Sequence, residues 1–388
     1  MEFNLNNFFK KEWNFKFIRL STLDILLLCL ITILGLYGRY KLFPFQSEDY
    51  IQNLQHWYNQ LASTGGIVGI KNLVGNYTPP YTYLLALLTY LPFSSLTSIK
   101  LLSVCCDFLL CIVVALITFK ITNSKNKSVL TYTITFMLPS VILNSALWAQ
   151  CDSLIMLFMA ICILFFLHNK PVGGCISFGI ALAFKVQSIF IAPVFLLLLL
   201  HKKVDFKHLL LIPLVYLISV VPTALMGGNY FDALSVVYYQ VTTTATDLSF
   251  NCANIWSALR GINSPDLGSF GTMLALSATL ICAYILIIKV KVLDNTTLFL
   301  CFLFFVLIIP YLLPYMHERY YYYAEVLAII YAIINPKRFY VPLVIVAVSV
   351  LSYLPFLFNV EPIPLTVLSL AILVILSIIT YDLFVVKS

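Results

Sequence analysis

The residues able to do acid–base or ionic chemistry are few, and they fall in short polar clusters. Across 388 residues there are 16 Asp and Glu, 23 Lys and Arg, and 5 His. Ser47-Glu48-Asp49-Tyr50 comes first, then His56-Trp57 and Asn76-Tyr77-Thr78-Pro79-Pro80-Tyr81. Trp148-Ala149-Gln150-Cys151-Asp152-Ser153 and Lys185-Val186-Gln187 follow. Asn251-Cys252-Ala253-Asn254-Ile255-Trp256 and His317-Glu318-Arg319-Tyr320 complete the series. Gathered in one place, they supply carboxylates, two strong cations, a histidine and aromatic faces. Such a set suits an anionic, lipid-linked, hydroxyl-rich substrate. Cations meet phosphate, a carboxylate takes a hydroxyl proton, and aromatic faces stack on sugar rings or line an acyl chain.

Each residue has a functional and a structural reading. Asp49 is the candidate general base, with Glu48 as its alternate; a helix cap is the structural role, which Ser47 fills equally well. Lys185 lies between two short apolar runs, where a lysine contacts a donor phosphate or snorkels to headgroups. Gln187 adds a second hydrogen-bonding group beside it. Arg319 is a candidate phosphate clamp and His317 a donor to the phosphate or acceptor. Their structural counterpart is an interfacial Glu318–Arg319 pair. Asp152 orients the acceptor, holds Lys185 or Arg319, or caps a helix. Gln150, Trp148 and Tyr77 join the substrate-binding set, although a tryptophan here also suits an interface anchor. Asp107, inside an apolar run, is expected to face the bundle interior with a partner.

The elements that position these residues must be membrane helices. The chain is 61% hydrophobic and 10% charged, with a mean hydropathy of +0.97. Soluble domains carry roughly 25% charged residues, and a core of this size has no room for so many apolar side chains. A soluble enzyme, a disordered chain and a disulfide scaffold are excluded. The net charge of +7 comes without a basic patch interleaved with stacking aromatics, so nucleic acid is not an expected partner. The ten cysteines lie mostly in apolar runs, without CxxC spacing, and read as small hydrophobes.

Hydropathy places candidate spans at 22–42, 101–120, 128–147, 153–167, 173–184, 188–200, 209–225, 269–288, 296–313, 320–334, 340–358 and 365–384. That is about twelve membrane helices. Segment 79–92 is apolar as well, but counting it as a crossing would send the basic loop 120–127 outward. A juxtamembrane or re-entrant helix fits better. Most of the basic residues, including Lys10, Lys11, Lys16, Arg19, Lys120, Lys125, Lys127, Lys170 and Lys387, then fall on one side. By the positive-inside rule that side is cytoplasmic, with both termini. The polar clusters then lie at the outer face of a cell membrane. Three regions follow: a membrane core over 1–226 with a first outer loop at 43–100, a second long outer loop at 227–268, and a C-terminal bundle over 269–388. No internal repeat of the kind common in secondary transporters is visible.

The motifs, in this order, resemble the GT-C class of integral-membrane glycosyltransferases, in particular a bacterial branch similar to the GPI-anchor mannosyltransferases. Glu48-Asp49, Tyr77-Thr78-Pro79-Pro80, Trp148 to Ser153 and Lys185-Val186-Gln187 carry the likeness, over roughly three quarters of the chain. The resemblance implies a GT-C fold, a polyprenyl-phosphate sugar donor, a glycan or glycolipid acceptor, inversion at the anomeric carbon and an outer active site. Mannose is the first expected hexose. Two positions depart from the pattern. Ala149 stands where the family often has glycine, and Glu48-Asp49 stands where some relatives have Asp-x-Asp, which leaves open a divalent cation, Mg or Mn. The competing classes are a lipid-linked oligosaccharide flippase or transporter and a polysaccharide polymerase.

Overall fold

The computed structural model describes residues 5–242 and 247–384. Lys387, one of the cations assigned to the basic side, lies outside the described residues. Helices dominate. Among the described residues, seven are long and apolar enough to cross a membrane: Thr22–Leu42, Ser95–Thr122, Phe206–Leu225, Pro265–Lys289, Asn295–Leu312, Pro336–Phe358 and Leu365–Phe384. Four shorter apolar helices, Asp152–Leu167, Pro171–Phe184, Val186–Leu200 and Tyr322–Ile334, pack among them. The chain is a multi-pass, all-α membrane protein.

Local sequence explains where these helices start and stop. Ser21 and Asp24 form a capping box at the start of Thr22–Leu42, which satisfies two otherwise orphaned N–H groups. Ser94 caps Ser95–Thr122, and Asn123 ends it in the left-handed conformation (φ 50°). Asparagine tolerates that region better than most residues.

The expected continuous span at 128–147 is broken. Lys125–Phe136 and Pro139–Leu147 meet at 48°. Pro139 has no N–H and drives Leu138 out of the helical region (ψ 126°). The break frees the Phe136 carbonyl, which accepts from Arg39 Nη2 at 2.9 Å. Arg39 Nε pairs with Asp107 at 3.0 Å, both side chains buried. Asp107 therefore has its expected interior partner, and the pair fastens three helices around the kink.

The two long polar segments are more ordered than loops. The first holds helices Gln55–Ser63 and Pro79–Leu88. The second is only ten residues, about 15 Å, which is half of a hydrocarbon core. The second segment holds helix Tyr230–Thr242 and the short strand Ser249–Phe250, which pairs in parallel with Met316–His317. A further hairpin, Glu12–Asn14 with Arg19–Ser21, precedes the first span. Pro79–Leu88 falls within the segment 79–92 expected to form a short helix, whereas polar composition hid Gln55–Ser63 and Tyr230–Thr242, whose apolar faces are too short to register as spans.

Candidate active site

Four separate parts of the chain meet in one cavity of about 190 Å³. Asp49 and Tyr77 come from the first polar segment, Gln150 from the break before Asp152–Leu167, and Lys185 and Gln187 from the turn after Pro171–Phe184. His317 and Arg319 come from the link between two late helices. Residues far apart in sequence thus face one space.

Hydrogen bonds fix each contribution. Ser47 Oγ accepts from the Tyr50 N–H at 3.2 Å and donates to the Trp148 carbonyl at 2.8 Å. Ser47 therefore takes the capping role, and Asp49 makes no side-chain cap. Asp49 Oδ2 instead accepts from Trp148 Nε1 at 2.8 Å and Gln150 Nε2 at 2.7 Å, while its side chain stays 26% exposed. Thr78 Oγ1 donates to the Phe184 carbonyl at 2.7 Å, locking the first segment to the residue before Lys185.

Asp152 is the hub beneath the cavity. It is fully buried at the start of its helix and accepts from Lys185 Nζ at 2.8 Å and Asn144 Nδ2 at 2.9 Å. Arg319 Nε lies 3.6 Å from Oδ2, the oxygen that Asn144 also bonds, and Arg319 Nη1 lies 3.8 Å from Asp49. Asp152 thus holds two cations and does not serve as a plain cap. Lys185 is buried and paired, which is the opposite of snorkelling. Its ammonium also lies 5.8 Å from the ring centroids of Tyr77 and Tyr320, within cation–π range.

The charge states follow from these contacts. Burial works against the charge on Lys185, but the Asp152 carboxylate together with Tyr77 and Tyr323 outweighs it and holds the ammonium well above the ordinary lysine range. Packing of the surrounding protein and then the Arg319 and Lys185 charges shift His317 well below its usual value, which favours the neutral ring, although its side chain stays 35% exposed. That ring stacks on Phe250, with centroids 4.7 Å apart, and the paired strands fix its height. Glu318, 2% exposed, is pushed up to about 7 by burial, which exceeds the opposing pull of Arg319. Glu318 and Arg319 pair at 3.2 Å, with both residues buried.

Three of the candidate residues stand off the cavity surface. Glu48 is exposed and absent from the lining. Trp148 and Asp152 are buried behind the wall. Phe356 stacks on the Trp148 indole at 5.0 Å and Tyr353 meets it edge-on at 5.3 Å. Its faces are therefore covered, and its N–H is the part that serves the site. Gln187 donates to the Tyr320 hydroxyl at 2.8 Å and Tyr77 donates to Gln150 at 3.4 Å.

Sequence reasoning missed Asn53 and Asn144. Asn53 lines the cavity, and its position four residues after Asp49 on a helical turn was a usable signal. Asn144 supports Asp152 from eight residues upstream through a wide turn, Leu143–Leu147, and carried no such signal. The Asn251 to Trp256 stretch is structural. Asn254 Nδ2 donates to the Pro310 and Leu313 carbonyls, and Trp256 Nε1 to that of Leu312. They satisfy the orphan carbonyls at the end of Asn295–Leu312.

A divalent cation held by Glu48 and Asp49 does not fit this arrangement. Glu48 is exposed and not part of the cavity lining, and Asp49 is ringed by N–H donors and a guanidinium. Among the described residues no three His, Cys, Asp or Glu side chains converge on a metal-sized site. Compared with protein-family models and with curated proteins, the chain matches none.

Proposed function

We propose that this protein is an inverting glycosyltransferase of the GT-C type, with about twelve membrane helices, that moves a hexose from a polyprenyl phosphate to a cell-envelope glycan or lipid. The observation that carries the reading is one carboxylate and two cations on the same cavity. Asp49 faces Lys185 and Arg319 across it, with Tyr77 and Trp57 in the wall.

In this reading the acceptor hydroxyl oxygen attacks C1 of the hexose from the face opposite the phosphate, and Asp49 takes its proton. The bond from C1 to the phosphate oxygen breaks, and its electron pair leaves with the polyprenyl phosphate. Lys185 and Arg319 hold the developing charge, and they are already fixed on Asp152 before substrate arrives. Such preorganised charge lowers a barrier most, because nothing reorganises during the reaction. The neutral His317 has an N–H to offer the phosphate or the sugar.

The basic residues at the other ends of the helices support a cytoplasmic assignment for that side and an outer-face site in the cell membrane. The charges also cluster at one end of the bundle, whereas a transporter builds its site near the midplane.

The test is incubation of purified protein with a short-chain polyprenyl-phosphate hexose, scoring released polyprenyl phosphate. Transfer or donor hydrolysis that falls about 100-fold or more in Asp49→Asn is expected. Movement of the lipid across liposomes with no bond cleaved would make the protein a flippase and end this reading.

A further inference from the structure

The helices that carry the candidate site at one end form a second, different site at the other. Asp152–Leu167 runs sixteen residues from Asp152, about 24 Å, to a cavity of about 530 Å³ at its far end. Leu164, Phe165 and His168 line that cavity together with Lys120, Lys170 and Phe17. A neighbouring cavity shares Phe17, Phe119 and Asn123 with it and adds Lys16, Arg19 and Lys125. A third, of about 430 Å³ and almost wholly apolar, shares Leu116 and is walled by Ile112, Phe108 and Leu28.

The cations are available. Lys125 pairs with Asp24 at 3.2 Å. Lys16, Arg19, Lys120 and Lys170 form no ion pair among the described residues. The N-terminal hairpin holds Lys16 and Phe17 over the cavity. Its turn is closed by Phe15 N–H to the Ile18 carbonyl at 3.0 Å, and Trp13 Nε1 ties it to Thr22 at 3.0 Å. Trp13, Phe15 and Phe17 are each about half exposed on that hairpin, as aromatic residues are at headgroup depth.

We infer that this groove binds an anionic diacyl phospholipid of the membrane face opposite the candidate site, its phosphate among Lys16, Arg19, Lys120 and Lys170 and its acyl chains in the two cavities flanking Leu116. The charge is complementary to a phosphate. The apolar walls of the two cavities, Leu116, Phe119, Ile161, Leu164 and Phe165 in one and Leu28, Phe108 and Ile112 in the other, fit two hydrocarbon chains and have no role for a free ion. Basic pockets between helices on the positive side suit such headgroups.

The full chain, purified in mild detergent, is titrated with equal mixtures of phosphatidylglycerol and phosphatidylcholine and the retained lipid is read by native mass spectrometry. Phosphatidylglycerol is expected to be retained selectively. Lys120→Gln with Lys170→Gln lowers its retention about tenfold, and Lys289→Gln with Lys291→Gln, exposed lysines elsewhere, leaves it unchanged. Leu116→Trp keeps every charge and also lowers retention by filling the apolar cavities. Equal retention of the two lipids by the unaltered protein overturns the inference. So does unchanged retention in the Lys120/Lys170 variant or in Leu116→Trp. Displacement of the lipid by an equal concentration of glycerol 1-phosphate overturns it too, since the phosphate would then be the whole ligand.

Discussion

Trp148 donates its indole N–H to Asp49 across 2.8 Å, although the two residues stand 99 positions apart. The indole is fully buried between Phe356 and Tyr353, so it is a rigid post that aims the carboxylate. Trp148→Phe keeps most of that packing and removes the N–H. Transfer is expected to drop about tenfold to 100-fold in kcat with little change in KM, because a neutral donor of this kind is worth about 1–3 kcal/mol. Steady-state kinetics check the split.

Lys185 and Asp152 form a buried pair, and breaking it leaves a charge without its partner. Lys185→Met is expected to cost about 3 kcal/mol in stability, toward the low end for buried pairs, because Arg319 and Asn144 still reach Asp152. Lys185→Met combined with Asp152→Leu is expected to recover part of that loss and none of the activity. Thermal unfolding in detergent, read beside transfer, separates the two effects.

Glu318 gives the protein a pH dependence with a defined sign. Its folded-state value of about 7 stands above the ordinary 4.5, so the folded protein holds a proton that the unfolded chain releases. Stability from this group is full below about pH 4.5 and is lost as pH rises toward 7, by up to about 3 kcal/mol. Glu318→Gln is expected to flatten that fall. Melting temperatures of both proteins between about pH 5 and 8 decide it.

Ala149 occupies the left-handed region at φ 67° with no exposed surface. That region disfavours any residue with a Cβ by about 1–2 kcal/mol. Ala149→Gly is expected to be neutral or slightly stabilising. Ala149→Val, branched and set in a closed space, is expected to destabilise by more than the alanine strain alone. Chemical or thermal denaturation orders the three proteins.

The membrane class was legible because hydrophobicity is a property of composition and run length, and neither needs tertiary contacts. Asp49, Lys185 and Arg319 stood out for a related reason. An ionised side chain beside apolar runs is costly unless something holds it, so its presence is already a signal. The partners were legible only as alternatives. That Asp152 binds both Lys185 and Arg319, that Ser47 caps and Asp49 does not, and that Glu48 stays out of the cavity lining all depend on where a helix ends and which way a side chain turns. The bend at Pro139 could be suspected from the residue, but its consequence could not, because the freed carbonyl finds Arg39 nearly a hundred residues away. Hydropathy and charge decided that this chain is a membrane bundle with a small set of ionic residues at its disposal. The tertiary structure alone decided which of them share a cavity, because short-range forces such as hydrogen bonds and buried ion pairs act over a few ångströms and take no account of distance along the sequence.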